Sequence, residues 1–206
     1  MQIVSPSVRV LHSTPNAEKV IEEAGRICWK SEDRITDVSH AAFIRMLLSP
    51  DKGHESVLEH ASAGFIVTTD RGISHEIVRH RLCSYSQVST RYCNYGKDKF
   101  GGEISVIKPS ELQPDTPEWR EWINSCFQAE TAYLEMLAKG VKPQNARSVL
   151  PTCLATEIAW TANLREWRHI WKLRGAPAAH PDIRVVIEMI KPHLRSIAPT
   201  VFEDLK

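Results

Sequence analysis

Two short stretches set the fold class of this chain. Residues 61–69 place Ala61, Ala63, Phe65 and Val67 at alternate positions, and residues 152–161 do the same with Leu154, Thr156, Ile158 and Trp160. A period of two puts alternate side chains on one face, so each stretch predicts a half-buried strand. Each is followed by a residue suited to start a helix. Asp70 precedes a helical pattern with Ile73 and Ile77, and Asn163 precedes one with Arg165, His169 and Arg174. Asp and Asn suit this place because the side-chain oxygen accepts an N–H of the first turn.

The remaining signals are mostly helical. The first ten residues alternate loosely and predict a strand. Thr14 and Pro15 predict an N-cap and a first helical position, with Ala17, Val20, Ile21, Ala24 and Ile27 on one face. A second helix is expected over 39–48, with Phe43, Met46 and Leu47 inward, broken by Pro50-Asp51-Lys52-Gly53. A cationic loop is expected after Ile77, then a strand over 104–107. Thr116-Pro117 opens the clearest helix, which carries Trp119, Trp122, Ile123, Cys126, Tyr133, Leu134 and Leu137 and stops at Gly140. Its tryptophan face suits a subunit interface and core packing equally well. A last helix starts near Pro181 with Ile183, Ile187 and Ile190, and Pro192 is expected to kink or end it. Strands and helices mix without a regular alternation. The expectation is an α+β fold, residues 1–206 as one domain.

Composition excludes several function classes. The 206 residues are 42% hydrophobic and 25% charged, with a net charge of +1. That balance steers the chain neither to nucleic acid nor to a membrane. No apolar run approaches the roughly 18 residues that span a bilayer, and no export signal pattern is seen. The five cysteines, at 28, 83, 93, 126 and 153, have no paired spacing. They read as reduced thiols, and a cytoplasmic location is expected.

The basic character is local. Arg79-His80-Arg81-Leu82-Cys83-Ser84-Tyr85-Ser86-Gln87-Val88-Ser89-Thr90-Arg91-Tyr92 lies in a stretch with no Asp or Glu from Ile77 to Lys97. Guanidinium forks and hydroxyls together match phosphate geometry, and an acid-free cationic segment repels itself until an anion completes it. A phosphorylated ligand is expected. Ser89 lacks a legible activating base, so phosphate contact fits it better than a nucleophile's role. Cys83 and Cys93 read as small packing residues. His75 and His80 are five apart and fall on different helix faces, where a zinc helix needs a spacing of four; no metal is expected. No Gly-x-Gly-x-x-Gly or P-loop supports a Rossmann-type site.

Arg79-His80-Arg81, seven residues and Ser89 resemble the signature of flavin-dependent thymidylate synthases. Three further blocks resemble the family in order: His54-Glu55-Ser56-Val57-Leu58-Glu59-His60, Ala146-Arg147 before Leu150-Pro151, and Asn163-Leu164-Arg165 with His169 and Leu173-Arg174. The resemblance spans roughly residues 10 to 200. It implies a sheet core, mixed or antiparallel, with long flanking helices, assembled as a homotetramer with sites at subunit interfaces. It implies reductive methylation of dUMP to dTMP, with FAD as cofactor and NADPH and methylenetetrahydrofolate as co-substrates. For dUMP it singles out Glu76, Arg79, Gln87, Ser89, Arg91, Arg147 and Arg174. For FAD it singles out His54, Ser56, Arg79, His80, Arg81, Gln87, Asn163, Arg165 and His169, with Ser56 reaching in from a neighbouring subunit. Arg174 is the expected catalytic residue, a permanent cation against the pyrimidine. This chain departs from the family pattern at Glu76, where glutamine is usual, at Ser86-Gln87, where Asn-Glu is frequent, and at Ala179-His180-Pro181-Asp182-Ile183. The alternatives are a non-catalytic nucleotide or phosphate-binding module on the same scaffold, and a nucleic-acid binder. The second lacks a basic overall balance and an array of stacking aromatics.

Overall fold

The structure, a computed structural model, describes residues 1–206. Its strands are β1 (Gln2–Val4), β2 (Ser7–Ser13), β3 (Ser62–Asp70), β4 (Cys83–Gln87), β5 (Ser105–Ile107) and β6 (Ala155–Asn163). Its helices are α1 (Ala17–Ile27), α2 (Ser39–Leu48), α3 (Arg71–Ile77), α4 (Pro117–Ala138), α5 (Pro143–Ala146), α6 (Leu164–Arg174) and α7 (Pro181–Ile197). Four strands form a sheet in the order β2-β3-β6-β4. β1 pairs in parallel with β5, Gln2 opposite Ser105 and Val4 opposite Ile107. This is the expected α+β class. No helix is long and apolar enough to cross a membrane.

The chain divides into two compact units. The first comprises Met1–Ser7, Val67–Arg79 and Ser86–Ile158. Its core joins Tyr95, Ile104, Val106, Cys126, Tyr133 and Leu154. α4 begins as its sequence predicts, with the Thr116 hydroxyl accepting from Trp119 N at 3.2 Å and Pro117 in the first turn. Gly140 then adopts a φ of +82°, a left-handed conformation that suits glycine at a helix end. Trp122 packs against the core and stacks on Trp119 at 5.2 Å between centroids. Core packing thus accounts for part of the tryptophan face. Asp70 caps α3 by accepting from Ile73 N at 2.8 Å.

The second unit comprises Val8–Ile66, His80–Tyr85 and Ala159–Lys206. Its core follows from the alternation of β3: Ala63 and Phe65 are buried. Trp167 of α6 meets Phe65 edge-on at 5.0 Å and donates its indole N–H to the Ala63 carbonyl at 2.9 Å. Trp160 of β6 lies 4.8 Å from Trp167, and neither ring is exposed. Each such side chain contributes about 1.5–3 kcal/mol by leaving water. Asn163 caps α6, accepting from Glu166 N at 2.8 Å. That cap sets the direction in which Arg165, Glu166, His169 and Arg174 project.

Two expectations are corrected and a third is narrowed. α1 starts at Ala17, with Asn16 at its N-cap in a left-handed conformation. Thr14 instead pairs with the start of β3, its hydroxyl accepting from Ser62 N at 2.9 Å, so a sheet contact takes the oxygen that a cap would use. The cationic segment is not all loop, because β4 runs through it. Cys83, Tyr85 and Gln87 are half-buried, while Ser84 and Ser86 are exposed. That alternation is present in the sequence but masked by its polar side chains. Of the two outcomes expected at Pro192, the ending is excluded, since α7 continues to Ile197.

Candidate active site

In the first unit, Glu76, Arg79, Gln87, Ser89, Arg91 and Arg147 are all present. Ser89 begins a tight turn in which its carbonyl accepts from Tyr92 N and Cys93 N, and its hydroxyl accepts from Arg91 N at 3.3 Å. Arg147 donates from Nη1 to the Thr90 hydroxyl at 3.2 Å. A cation 57 residues away in sequence is thereby fixed on the turn between Ser89 and Arg91. Arg79 and Arg91 are exposed and make no ion pair; Arg91 lies over the Tyr92 ring at 5.3 Å. Gln87 is held from behind, its amide donating to the Ser74 hydroxyl at 2.9 Å and the Thr156 hydroxyl at 3.1 Å. Its nitrogen is therefore committed to the protein, and its carbonyl oxygen is the end with hydrogen-bonding capacity to spare. Glu76 is half-buried on α3.

In the second unit, a cleft of about 500 Å³ is lined by Glu55, Glu59, Asn163, Arg165, His169 and Lys172, with Leu82 and Glu166 completing it. Arg165 crosses its wall, donating to Glu59 at 2.6 Å. Both side chains are half-exposed, so the pair orients Arg165 more than it stabilises the fold. The structure thus gathers Asn163, Arg165 and His169. It does not bring His54 to the same cleft: His54 lines a separate cavity of about 530 Å³ with Arg26, Trp29 and Phe43. Ser56 is exposed and lines neither, and Arg81 is exposed with no ion pair.

Behind the cleft lies a buried polar chain. His80 is 4% exposed. Its Nε2 accepts from Arg174 Nε at 3.0 Å, and its Nδ1 faces Glu166 Oε1 at 3.4 Å. Burial and the Arg174 charge push the His80 pKa down to about 4, so the ring is neutral at pH 7. Burial pushes the Glu166 carboxyl up, against the pull of His169 and Arg165. Tyr85 donates its hydroxyl to the His80 carbonyl at 2.6 Å. Burial also raises the Cys83 thiol, which disfavours a thiolate and supports its reading as a packing residue.

His80, Glu166 and His169 bring their ligand atoms within 4.8 Å of one another, a cluster that sequence spacing did not reveal. The donor set argues against a cation there. Arginine only donates, so Nε2 presents its lone pair to Arg174 and the ring proton sits on Nδ1, the nitrogen facing Glu166. A metal at that nitrogen would have to displace the proton.

Residues 9–200 match the family model described as thymidylate synthase complementing protein. The flavin-dependent thymidylate synthase of Geobacter sulfurreducens is 35% identical over 206 residues, covering 96% of this chain and 85% of that protein. The protein of the same name from Mycobacterium marinum is 34% identical over 224 residues, covering 99% and 86%. The chain belongs to the flavin-dependent thymidylate synthase family. The fold agrees: a UMP/dUMP methylase from Streptomyces cacaoi, solved with 5-Br dUMP, superposes with a TM-score of 0.81 at 23% identity, covering 98% of this chain and 96% of that one.

Within this member of the family, sequence reasoning missed Glu166, Tyr85 and Trp160 as parts of the site's support. Glu166 did carry a signal. It stands three residues after the Asn163 N-cap, where a carboxylate usually serves the helix start, yet it is buried. His180, one of the departures from the family pattern, has a local role: its ring Nδ1 accepts from Asp182 N at 3.2 Å and caps α7.

Proposed function

We propose that this chain catalyses the reductive methylation of dUMP to dTMP, using methylenetetrahydrofolate as the carbon donor and NADPH as the reductant, with FAD as cofactor. Relatives of this chain are named flavin-dependent thymidylate synthases, which supports the flavin and the product. The observation that carries the reading is the Arg147–Thr90 contact, which adds a third donor group to the Ser89–Arg91 turn in an acid-free segment. Such a turn suits a phosphate, since each charge-assisted hydrogen bond contributes about 1.5–3 kcal/mol.

The residues assigned to dUMP are Glu76, Arg79, Gln87, Ser89, Arg91, Arg147 and Arg174. Ser89, Arg91 and Arg147 hold its phosphate. Arg174 acts on the pyrimidine: methylation at C5 needs electron density pushed onto the ring, and a cation that never deprotonates stabilises the enolate-like charge at a ring carbonyl.

The second unit's cleft fits part of a flavin dinucleotide. Arg165, Lys172 and the α6 N-terminus offer donors for a diphosphate, and Glu55 and Glu59 offer acceptors for ribose hydroxyls. The lining carries three carboxylates against two permanent cations, so a diphosphate there would need Arg165 to leave Glu59 and donate to it. The bound flavin supplies the redox chemistry, and the protein binds and orients. The residues assigned to it are His54, Ser56, Arg79, His80, Arg81, Gln87, Asn163, Arg165 and His169. Ser56 serves a neighbouring subunit, and His54, which likewise lies outside this chain's cleft, fits the same arrangement. A cytoplasmic homotetramer acting through the whole of residues 1–206 completes the reading.

The test is anaerobic NADPH oxidation by the purified protein, with and without dUMP, followed by a dTMP assay. A yellow protein that oxidises NADPH and yields dTMP only when methylenetetrahydrofolate is present is expected. A colourless protein that refuses added FAD, binds dUMP and makes no dTMP would instead be a nucleotide-binding module.

A further inference from the structure

His80 is held at its backbone and at both ring nitrogens. Tyr85 holds its carbonyl at 2.6 Å. The fully buried Trp160 lies beside the ring, 5.9 Å between centroids and tilted by 33°. His169 meets it edge-on, also at 5.9 Å. Glu166 faces one ring nitrogen and Arg174 the other. A histidine that merely fills a core has no need to spend its second nitrogen on a half-buried arginine. An imidazolium could not hold Arg174 at all, because it has no lone pair and would repel the guanidinium.

We propose that Glu166 and His80 are positioning residues for Arg174: the neutral His80 ring, protonated on Nδ1 toward Glu166, accepts the Arg174 Nε–H and so sets the plane and direction of the guanidinium. This rests on the assignment of Arg174 to the pyrimidine. A hydrogen bond at Nε restrains the tilt of the planar group, and a cation that must meet a developing charge loses about 100-fold in rate when misplaced by about 1 Å. The depressed pKa of His80 keeps the ring in the form that the geometry requires. It also separates two roles in one Arg-His-Arg run: Arg79 and Arg81 are exposed and face outward for ligands, while His80 turns inward.

Two measurements test the proposal. The first is ¹⁵N NMR of the histidine rings at pH 7, assigned with His80→Gln. His80 is expected as the neutral Nδ1–H tautomer, becoming a mixture in Arg174→Ala. An Nε2–H tautomer or an imidazolium in the wild-type protein would overturn the idea whatever the enzyme's activity. The second is steady-state kinetics with the flavin content measured in each variant. His80→Leu, assayed at saturating FAD, is expected to lower kcat about 100-fold, with a smaller change in KM for dUMP. His80→Gln, whose carbonyl oxygen lies near the place of Nε2, is expected to recover most of the loss, and Glu166→Gln to exceed Glu166→Ala. A His80→Leu enzyme within twofold of wild type, beside an inactive Arg174→Ala, would reject positioning. A loss cured by saturating FAD would reject it too, because the flavin contact of His80, and not its hold on Arg174, would then set the rate. A wild-type protein that makes no dTMP would reject the functional reading alone, and the tautomer would still decide the geometry.

Discussion

Arg174 carries the proposed action on the pyrimidine. Arg174→Ala is expected to abolish dTMP formation while FAD stays bound, and turnover near wild type would reject its assignment. His80 makes a second prediction, on stability. Its folded pKa is depressed from the usual 6.5 to about 4 by burial first and Arg174 second. The unfolded chain therefore binds the proton more readily, and stability falls as the pH drops. The contribution is complete above about pH 6.5 and is lost progressively between there and about pH 4, amounting to about 2–3 kcal/mol. Denaturant unfolding at pH 7 and pH 4.5 checks this, with His80→Gln expected to show a shallower loss. A wild-type slope no steeper than that of the variant would count against a buried neutral His80. Glu59 and Arg165 merit no such prediction, because their 2.6 Å pair is half-exposed and screened.

Elements here are begun and ended by short-range chemistry but placed by close packing. The caps at Asp70, Thr116 and Asn163 all lie where hydroxyl, carboxylate and amide side chains predict them. Packing between α1 and α2 is less legible. Gly25 of α1 is buried, and a Cβ there would lie 2.6 Å from the Phe43 ring of α2. Glycine in a helix interior ordinarily costs up to about 1 kcal/mol against alanine. Overpacking a tight contact costs about 1–3 kcal/mol, so the clash outweighs the propensity gain. Gly25→Ala is expected to lower stability by about 1 kcal/mol, read by thermal unfolding; a raised melting temperature would show that the Phe43 ring yields freely. β4 shows the limit of periodicity. Its alternation is carried by Cys83, Tyr85 and Gln87 against Ser84 and Ser86, and the interrupting charges on either side make it read as loop.

On the scale of the molecule, the proposed functional residues sort by unit. Most of those assigned to dUMP lie in the first, and most of those assigned to FAD in the second; Arg174, Arg79 and Gln87 cross that division. His54 and Ser56 stand outside the cleft that gathers Asn163, Arg165 and His169. The proposed homotetramer would use them through another subunit. Sedimentation of the purified protein is expected to give a species of about four 23.4 kDa chains, and a monomer that is fully active would reject shared sites.

The amino-acid order alone determined the α+β class, the two strands found at Ser62–Asp70 and Ala155–Asn163 to within three residues, the helix starts at Asp70, Thr116 and Asn163, and the family. Those depend on side-chain period and on caps that act within a few residues, so they survive without knowledge of the partner. It also marked the acid-free arginine segment, since charge is counted along the chain. Tertiary structure alone decided that Arg147 sits on the Ser89–Arg91 turn, that Gln87 is tied back by Ser74 and Thr156, and that His80 looks inward to Glu166 and Arg174. Arg174 is 94 residues from His80. A hydrogen bond over that separation exists only once packing has brought the two groups together, and that same burial selects the neutral ring which can accept it.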